Sequence, residues 1–304
     1  MSGRSPSGEQ YEIAFEAQRA VVTEVGAGLR TYSVAGRDVL DGYGVDEMCR
    51  SGRGQVLAPW PNRIEDGSYE FGGRQHQLAL TEPTHANAIH GLVRWAPWAV
   101  AERSPTRVVL TLALTPQPGY PFWLELSVEY ELTAMGLRVR TTARNAGSQP
   151  CPYGVGQHPY LTVGTETVDS ALLRVPARTV LRSDDRGIPV GSTPVEGTEL
   201  DFRSARPIGP TKLDHCFTDL ERLQDGTARV ELADPGGGVC LTLWIDARYP
   251  YVMVFTGDPL PDVARRSLAV EPMSCPPNAF RSGQGLIVLE PDDSATASWG
   301  LSPS

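Results

Sequence analysis

Between Leu124 and Thr133 the chain alternates without a break. Leu124, Leu126, Val128, Tyr130 and Leu132 fall on one side, and Glu125, Ser127, Glu129, Glu131 and Thr133 on the other. A repeat of two positions gathers the apolar set on one face only if the chain is extended, so this segment predicts a half-buried β-strand. Ala134-Met135-Gly136 supplies a turn, and Leu137–Arg144 alternates again, with Arg138, Arg140 and Arg144 on its polar face. An antiparallel hairpin would set these arginines beside the glutamates, a favourable cross-strand pairing on a solvated face.

A second hairpin is predicted where Arg229–Leu232 and Val239–Ile245 flank Asp234-Pro-Gly-Gly-Gly238, and further strands at Arg107–Leu114 and Gly285–Leu289. Helical periodicity is nearly absent. The 31 Gly and 26 Pro are scattered along 304 residues, which suits many short strands joined by turns. No linker, repeat or low-complexity tract divides the chain, and all-β folds often exceed the usual domain size. The expectation is a loose Ser/Gly-rich N-terminus over residues 1–10. A single all-β domain over residues 11–304 should follow, folded as a large, mostly antiparallel β-sandwich.

Several function classes are disfavoured. A formal net charge of −9 opposes nucleic acid, which wants a basic stripe, and anionic membrane surfaces. No run of 18 apolar residues is long enough to span a bilayer, and MSGRSPSGEQYEI lacks a basic-then-apolar signal pattern. Cys49, Cys151, Cys216, Cys240 and Cys275 are odd in number and form no C-x-x-C pair. They predict small buried hydrophobes in a reducing compartment, most simply the cytoplasm, rather than a disulfide framework or zinc site. Phosphate-binding loops, the G-x-S-x-G elbow and H-E-x-x-H are all missing.

The chemistry-bearing residues gather in five islands beside Pro, Gly or aromatic residues. These are Ala58–Ile64, Asn87–Gly91, Gly156–Tyr160, Leu213–Phe217 and Val270–Asn278. In the third, Pro159 follows His158, removes a ladder N–H and biases His158 toward extended backbone. That predicts a histidine held at a strand end, with its ring free to enter a cleft. Each island alone has an ordinary structural explanation: a turn, a cap, or a strand stopped by proline, as at Glu271-Pro272. Together they offer Arg, His, Asp and Glu that a sandwich can bring to one place.

With these islands in this order, the sequence resembles the aldose 1-epimerase, or galactose mutarotase, family. The similarity runs from about Tyr11 to Trp299, through Pro-Asn-Arg-Ile at 61–64, His-Gly at 90–91, Gln-His-Pro-Tyr-Leu at 157–161, Leu-Asp-His at 213–215 and Glu-Pro…Pro-Asn-Ala at 271–279. The runs 87–95 and 271–280 look like a bacterial side branch, one member of which has been linked to a sulfonated sugar. The resemblance implies the galactose mutarotase-like supersandwich and an isomerase that interconverts α and β anomers of a free aldose. It implies His158 as general acid and Glu271 as general base on opposite sides of the acetal carbon. It further implies Asn62, Arg63, His90, Tyr160 and Asp214 as sugar-binding groups, with no metal or organic cofactor. Trp60, Trp95 and Tyr160 could pack on a sugar face, although core packing is the commoner use of such rings. His76, His85 and His215 are expected to be structural. The expected partner is a small-molecule sugar, with no nucleic acid or membrane, and homodimerisation is left open.

Departures from the family pattern bear on the substrate. Leu92 stands where a second glycine is usual, Met273 where Gln is common, and Pro-Asp-Asp at 291–293 where Pro-Gly-Glu is usual. None touches the acid–base pair. Met273 removes a polar contact, and Arg63 and Arg94 would suit an anionic sugar, phosphorylated or sulfonated, although an ordinary surface position is the commoner use of an arginine such as Arg94. A non-catalytic sugar-binding domain is one alternative, opposed by the filled acid and base positions. A hydrolase or lyase on a related sandwich is another, opposed because glycosidic cleavage needs two carboxylates across the bond and the islands offer one Glu, one Asp and histidines.

Overall fold

A computed structural model describes residues 4–303. The alternating segment is a strand, Leu124–Thr133, paired with Arg107–Leu114 on one side and Gly136–Asn145 on the other. Its five apolar residues are all buried. The register sets Glu125 opposite Arg144, Glu129 opposite Arg140 and Glu131 opposite Arg138, as the charge pattern predicts. Arg138 reaches Glu131 at 2.6 Å and Glu129 at 3.1 Å. These pairs are half-exposed, so they support the register more than the stability.

This hairpin lies in a nine-stranded sheet. From Gly136–Asn145 the sheet continues through Ser294–Pro303, Cys240–Ile245, Ala228–Ala233, Leu172–Arg174 and Arg206–Pro207, and Ala99–Arg103 closes the other edge. The second predicted hairpin is present as Ala228–Ala233 paired with Cys240–Ile245. An eight-stranded sheet packs against this one. Its order is Pro189–Pro194, Ala177–Ser183, Asp214–Leu220, Tyr251–Phe255, Leu268–Met273, Gly156–Gln157 and Val56–Leu57, with Tyr160–Leu161 also pairing to Leu268–Met273. The fold is thus all-β and antiparallel.

Val252, Val254, Leu268 and Val270 of the second sheet share the main apolar core with Leu126, Val128 and Val139 of the first. Because side chains alternate along a strand, Met253 and Glu271 must point to the opposite face. That face of Leu268–Met273 is covered too, and every residue of the strand is buried. Burial on both sides explains why its sequence shows no alternation.

Three local expectations are corrected. Residues 5–9 are not loose: Ser7 is buried, its carbonyl accepts from the Val25 N–H, and Glu9 accepts from Glu24. Residues 1–3 lie outside the described residues. Pro272 does not stop its strand, which runs on to Met273. The strand expected from Gly285 begins at Ile287. Cys49, Cys151, Cys216 and Cys275 are buried free thiols, as expected. No helix among the described residues is long and apolar enough to cross a membrane.

Candidate active site

His158 lies between two short strands, Gly156–Gln157 and Tyr160–Leu161, both paired to the strand that carries Glu271. Proline breaks the ladder for two residues and the pairing then resumes. The His158 backbone is held by its N–H to the Gln55 carbonyl at 3.3 Å and by the Gly54 N–H to its own carbonyl at 2.9 Å. Its neighbour Gln157 points the other way, into the core, where its amide meets Trp299, Tyr130 and Gly54. Alternation thus anchors one residue in the core and presents the next to the cleft.

His158 and Glu271, 113 positions apart in the chain, meet directly: Nε2 lies 3.2 Å from Oε1. They face each other rather than flanking a gap, unlike the arrangement the resemblance implies. The two oxygens of a hemiacetal sit on one carbon, so adjacent groups can serve both. The His158 imidazole is held down, to about 3, by desolvation and then by the Arg94 and Arg53 cations. The Glu271 carboxyl is pushed well up by desolvation and by Asp214, opposed by Arg63. The cause of the desolvation is in the register. Cys216 faces Met253, and Met253 faces Glu271. With Leu181, Tyr251 and Met273 they form a second apolar cluster on this face of the sheet. Charge separation is therefore opposed, and the pair favours one shared proton between Nε2 and Oε1.

His90 completes the cluster. Its ring meets His158 edge-on with centroids 5.4 Å apart. Its Nδ1 accepts from the Asn62 backbone N–H at 3.2 Å, and the His90 backbone N–H donates to the Asn62 carbonyl at 2.9 Å. Both residues adopt positive φ, 55° at Asn62 and 62° at His90, as does Gly91. With Nδ1 accepting, the neutral ring carries its proton on Nε2 and presents a donor. His90, His158 and Glu271 hold their donor atoms within 4.8 Å of one another, a spacing that would suit a divalent metal. The Asn62 bond argues against one: to offer Nε2 to a metal, His90 would have to move its proton to Nδ1 and lose that bond.

Arg63 and Asp214 are also brought to this face. Arg63 forms a two-pronged pair with Glu82 at 2.8 and 2.9 Å, and its charge faces Asp214 and Glu271. Asp214 is solvent-accessible at the mouth, yet the surrounding protein raises its carboxyl, with Arg63 opposing. Glu82 was not legible in the sequence, where it is one Glu before a proline. It is held by Arg63, Asn87 at 3.0 Å and His85 at 3.2 Å.

The aromatic candidates divide. Trp60 is buried against Phe280. Trp95 is 53% exposed. Tyr160, expected to bind sugar, is only 2% exposed, and its ring is already stacked by His158 and Arg53, so it offers no free face. Arg94 is different from the other arginines near the cleft. Among the described residues it has no carboxylate partner. One nitrogen makes a long contact of 3.5 Å to the Ile89 carbonyl, and its Nε is buried without a partner.

Comparison with known proteins agrees with this architecture. The family model described as aldose 1-epimerase matches residues 9–302. The uncharacterized protein YihR of Escherichia coli is 39% identical over 285 residues, covering 93% of this chain and 90% of that protein. Human galactose mutarotase is 26% identical over 231 residues, covering 68% of this chain and 65% of that protein. Among solved structures, a GalM/aldose epimerase homologue from C. elegans superposes with a TM-score of 0.88 at 20% identity, covering 97% of this chain and 98% of that one. The galactose 1-epimerase of Lactobacillus acidophilus gives 0.81 at 21% identity, covering 97% and 94%. With the match spanning nearly its whole length, this chain belongs to the aldose 1-epimerase family.

Proposed function

We propose that this protein is an aldose 1-epimerase that interconverts the α and β anomers of a free aldohexose or a related sugar. The observation that carries the reading is the buried His158–Glu271 contact at 3.2 Å, ringed by the donors and acceptors of Asn62, Arg63, His90 and Asp214. Ring opening needs one proton delivered to the ring oxygen and one taken from the C1 hydroxyl, while the C1–ring-oxygen bond breaks and the C1 carbonyl forms. Rotation about C1–C2 and closure on the other face, with the proton transfers reversed, completes the exchange. A pair holding a single proton contains one donor and one acceptor, so it can act at both oxygens. His158 is assigned the ring oxygen and Glu271 the C1 hydroxyl, so the shared proton, which rests on Oε1, must pass to Nε2 before His158 can deliver it and Glu271 can accept. The His90 Nε2 proton is available to an oxygen that gains negative charge.

The test is polarimetry or anomer-exchange NMR on freshly dissolved α-anomer. No acceleration over buffer would sink the reading, and binding without exchange would favour a sugar-binding domain. His158→Ala and Glu271→Ala should each remove most of the acceleration, since a positioned acid or base typically contributes about 10²–10⁴ in rate.

Arg94 favours a narrower reading, an anionic substrate. A desolvated guanidinium with no acidic partner is costly unless a ligand supplies the charge, and guanidinium matches phosphate or sulfonate oxygens well. In a panel of glucose, galactose, hexose phosphates and a sulfonated hexose, Arg94→Met should raise KM for the anionic member alone. Equal effects on neutral and anionic sugars would refute it.

A further inference from the structure

A catalytic imidazole is usually oriented by a hydrogen bond to the nitrogen that does not react. In His158 that anchor is weak. Its Nε2 faces Glu271, and its buried Nδ1 meets no other residue, only its own backbone carbonyl being in reach. Packing therefore has a large share in fixing the plane of the ring. Tyr160 lies almost parallel to it, 10° from coplanar with centroids 4.8 Å apart. Gly52 closes in closely enough that a Cβ there would come within 3.1 Å of the His158 Cδ2. Tyr160 is itself held on two counts. Its hydroxyl donates to the Ser51 carbonyl at 3.2 Å, and the Arg53 guanidinium carbon sits 4.3 Å from its ring centre. Arg53 is buried and tied to Asp41 at 3.2 Å, and Asp41 is braced in turn by Arg266 and Ser267, each at 2.8 Å.

We infer that Tyr160 and Arg53 are positioning residues for the proton transfer, forming a guanidinium–phenol–imidazole stack that sets the plane of His158, whose Nδ1 is held by no other residue. The inference rests on the assignment of His158 to the reacting oxygen. Arg53 has a second effect. With Arg94 it disfavours a charged imidazole, and so keeps the proton of the pair in play at neutral pH. The groups facing His158 are Glu271, His90, Tyr160, Arg53 and Arg94. Arg53 differs from Arg94 in reaching the ring through Tyr160.

The test compares Arg53→Met, Arg53→Lys, Tyr160→Leu and Tyr160→Phe with wild type and His158→Ala, by anomer-exchange kinetics and NMR titration of the His158 ring. Arg53→Met leaves Asp41 with Arg266 and Ser267, so it orphans no acid. Tyr160→Leu and Arg53→Met should each lower kcat by about 10- to 100-fold, the size of effect expected from small misplacement of a reacting group, with KM within about threefold. Tyr160→Phe, which keeps the stack, should recover most of what Tyr160→Leu loses. In Arg53→Met the His158 ring should protonate at higher pH than in wild type, and in Arg53→Lys, which keeps the charge, at nearly the wild-type pH. If Arg53→Met does not fold, the Tyr160 pair decides. Activity retained in His158→Ala would overturn the functional assignment itself. Loss in His158→Ala with unchanged kcat and His158 titration in the stack variants would overturn only the positioning role.

Discussion

Gln157→Leu tests the idea that the core grips the residue beside the catalytic histidine. The substitution nearly conserves volume, so its effect should come from hydrogen bonds rather than a cavity. The Gln157 amide donates to the Tyr130 hydroxyl and, at 3.0 Å, to the Gly54 carbonyl, and it accepts from the Trp299 indole N–H at 3.0 Å. These partners are not equally harmed. Tyr130 still donates to the Ala27 carbonyl, and the Gly54 carbonyl still accepts from the Leu29 N–H. Trp299, fully buried, is left with a donor and no acceptor. An orphaned buried donor costs about 1–3 kcal/mol, and each lost bond whose partner keeps another about 0.5–1.5 kcal/mol, so the total is about 2–6 kcal/mol before the leucine recovers some apolar burial. Urea or thermal unfolding by circular dichroism measures this directly. A double-mutant cycle sharpens it: Trp299→Phe removes the orphan, so the double variant should be less destabilised than the sum of the singles by at least about 1 kcal/mol. Destabilisation below about 1 kcal/mol, or strict additivity, would refute the reasoning.

The pH dependence of exchange should report the shared proton of the pair. Because His158 is held far below the usual imidazole range, acidifying from about pH 7 to about pH 5 should add no second proton and leave the enzymatic rate, above buffer, largely unchanged. Raising the pH through the elevated value of Glu271 removes the shared proton, and the rate should fall. A loss on acidification centred near 6.5 would show an ordinary imidazole and contradict this. Gly91→Ala should be severe, because its φ is +70° and a Cβ would sit 2.0 Å from the Ala58 carbonyl oxygen. Displacing that turn moves His90, so exchange activity should drop along with the melting temperature, and a variant with wild-type values of both would contradict the close approach.

The sequence alone determined the sandwich, because period-two alternation at 124–133 and 137–144 states both the element and the face it buries. It determined the Glu–Arg register too, since opposed charges on adjacent strands need only local geometry. The islands pointed to His158, Glu271, Asn62, Arg63, His90 and Asp214, which the fold does bring to one face, while the resemblance supplied their roles. Tertiary structure alone decided the rest. Tyr160 looked like a sugar platform because an exposed and a stacked tyrosine are spelled alike. Arg53, in Gly52-Arg53-Gly54, carried no signal beyond two glycines, and its partners Asp41 and Tyr160 come from distant segments. Glu82 and the apolar row behind Glu271 were hidden for the same reason. Whether a carboxyl is paired, solvated or backed by Met253 and Cys216 depends on which strands lie side by side. Strand order is set by long-range packing, which no local pattern records.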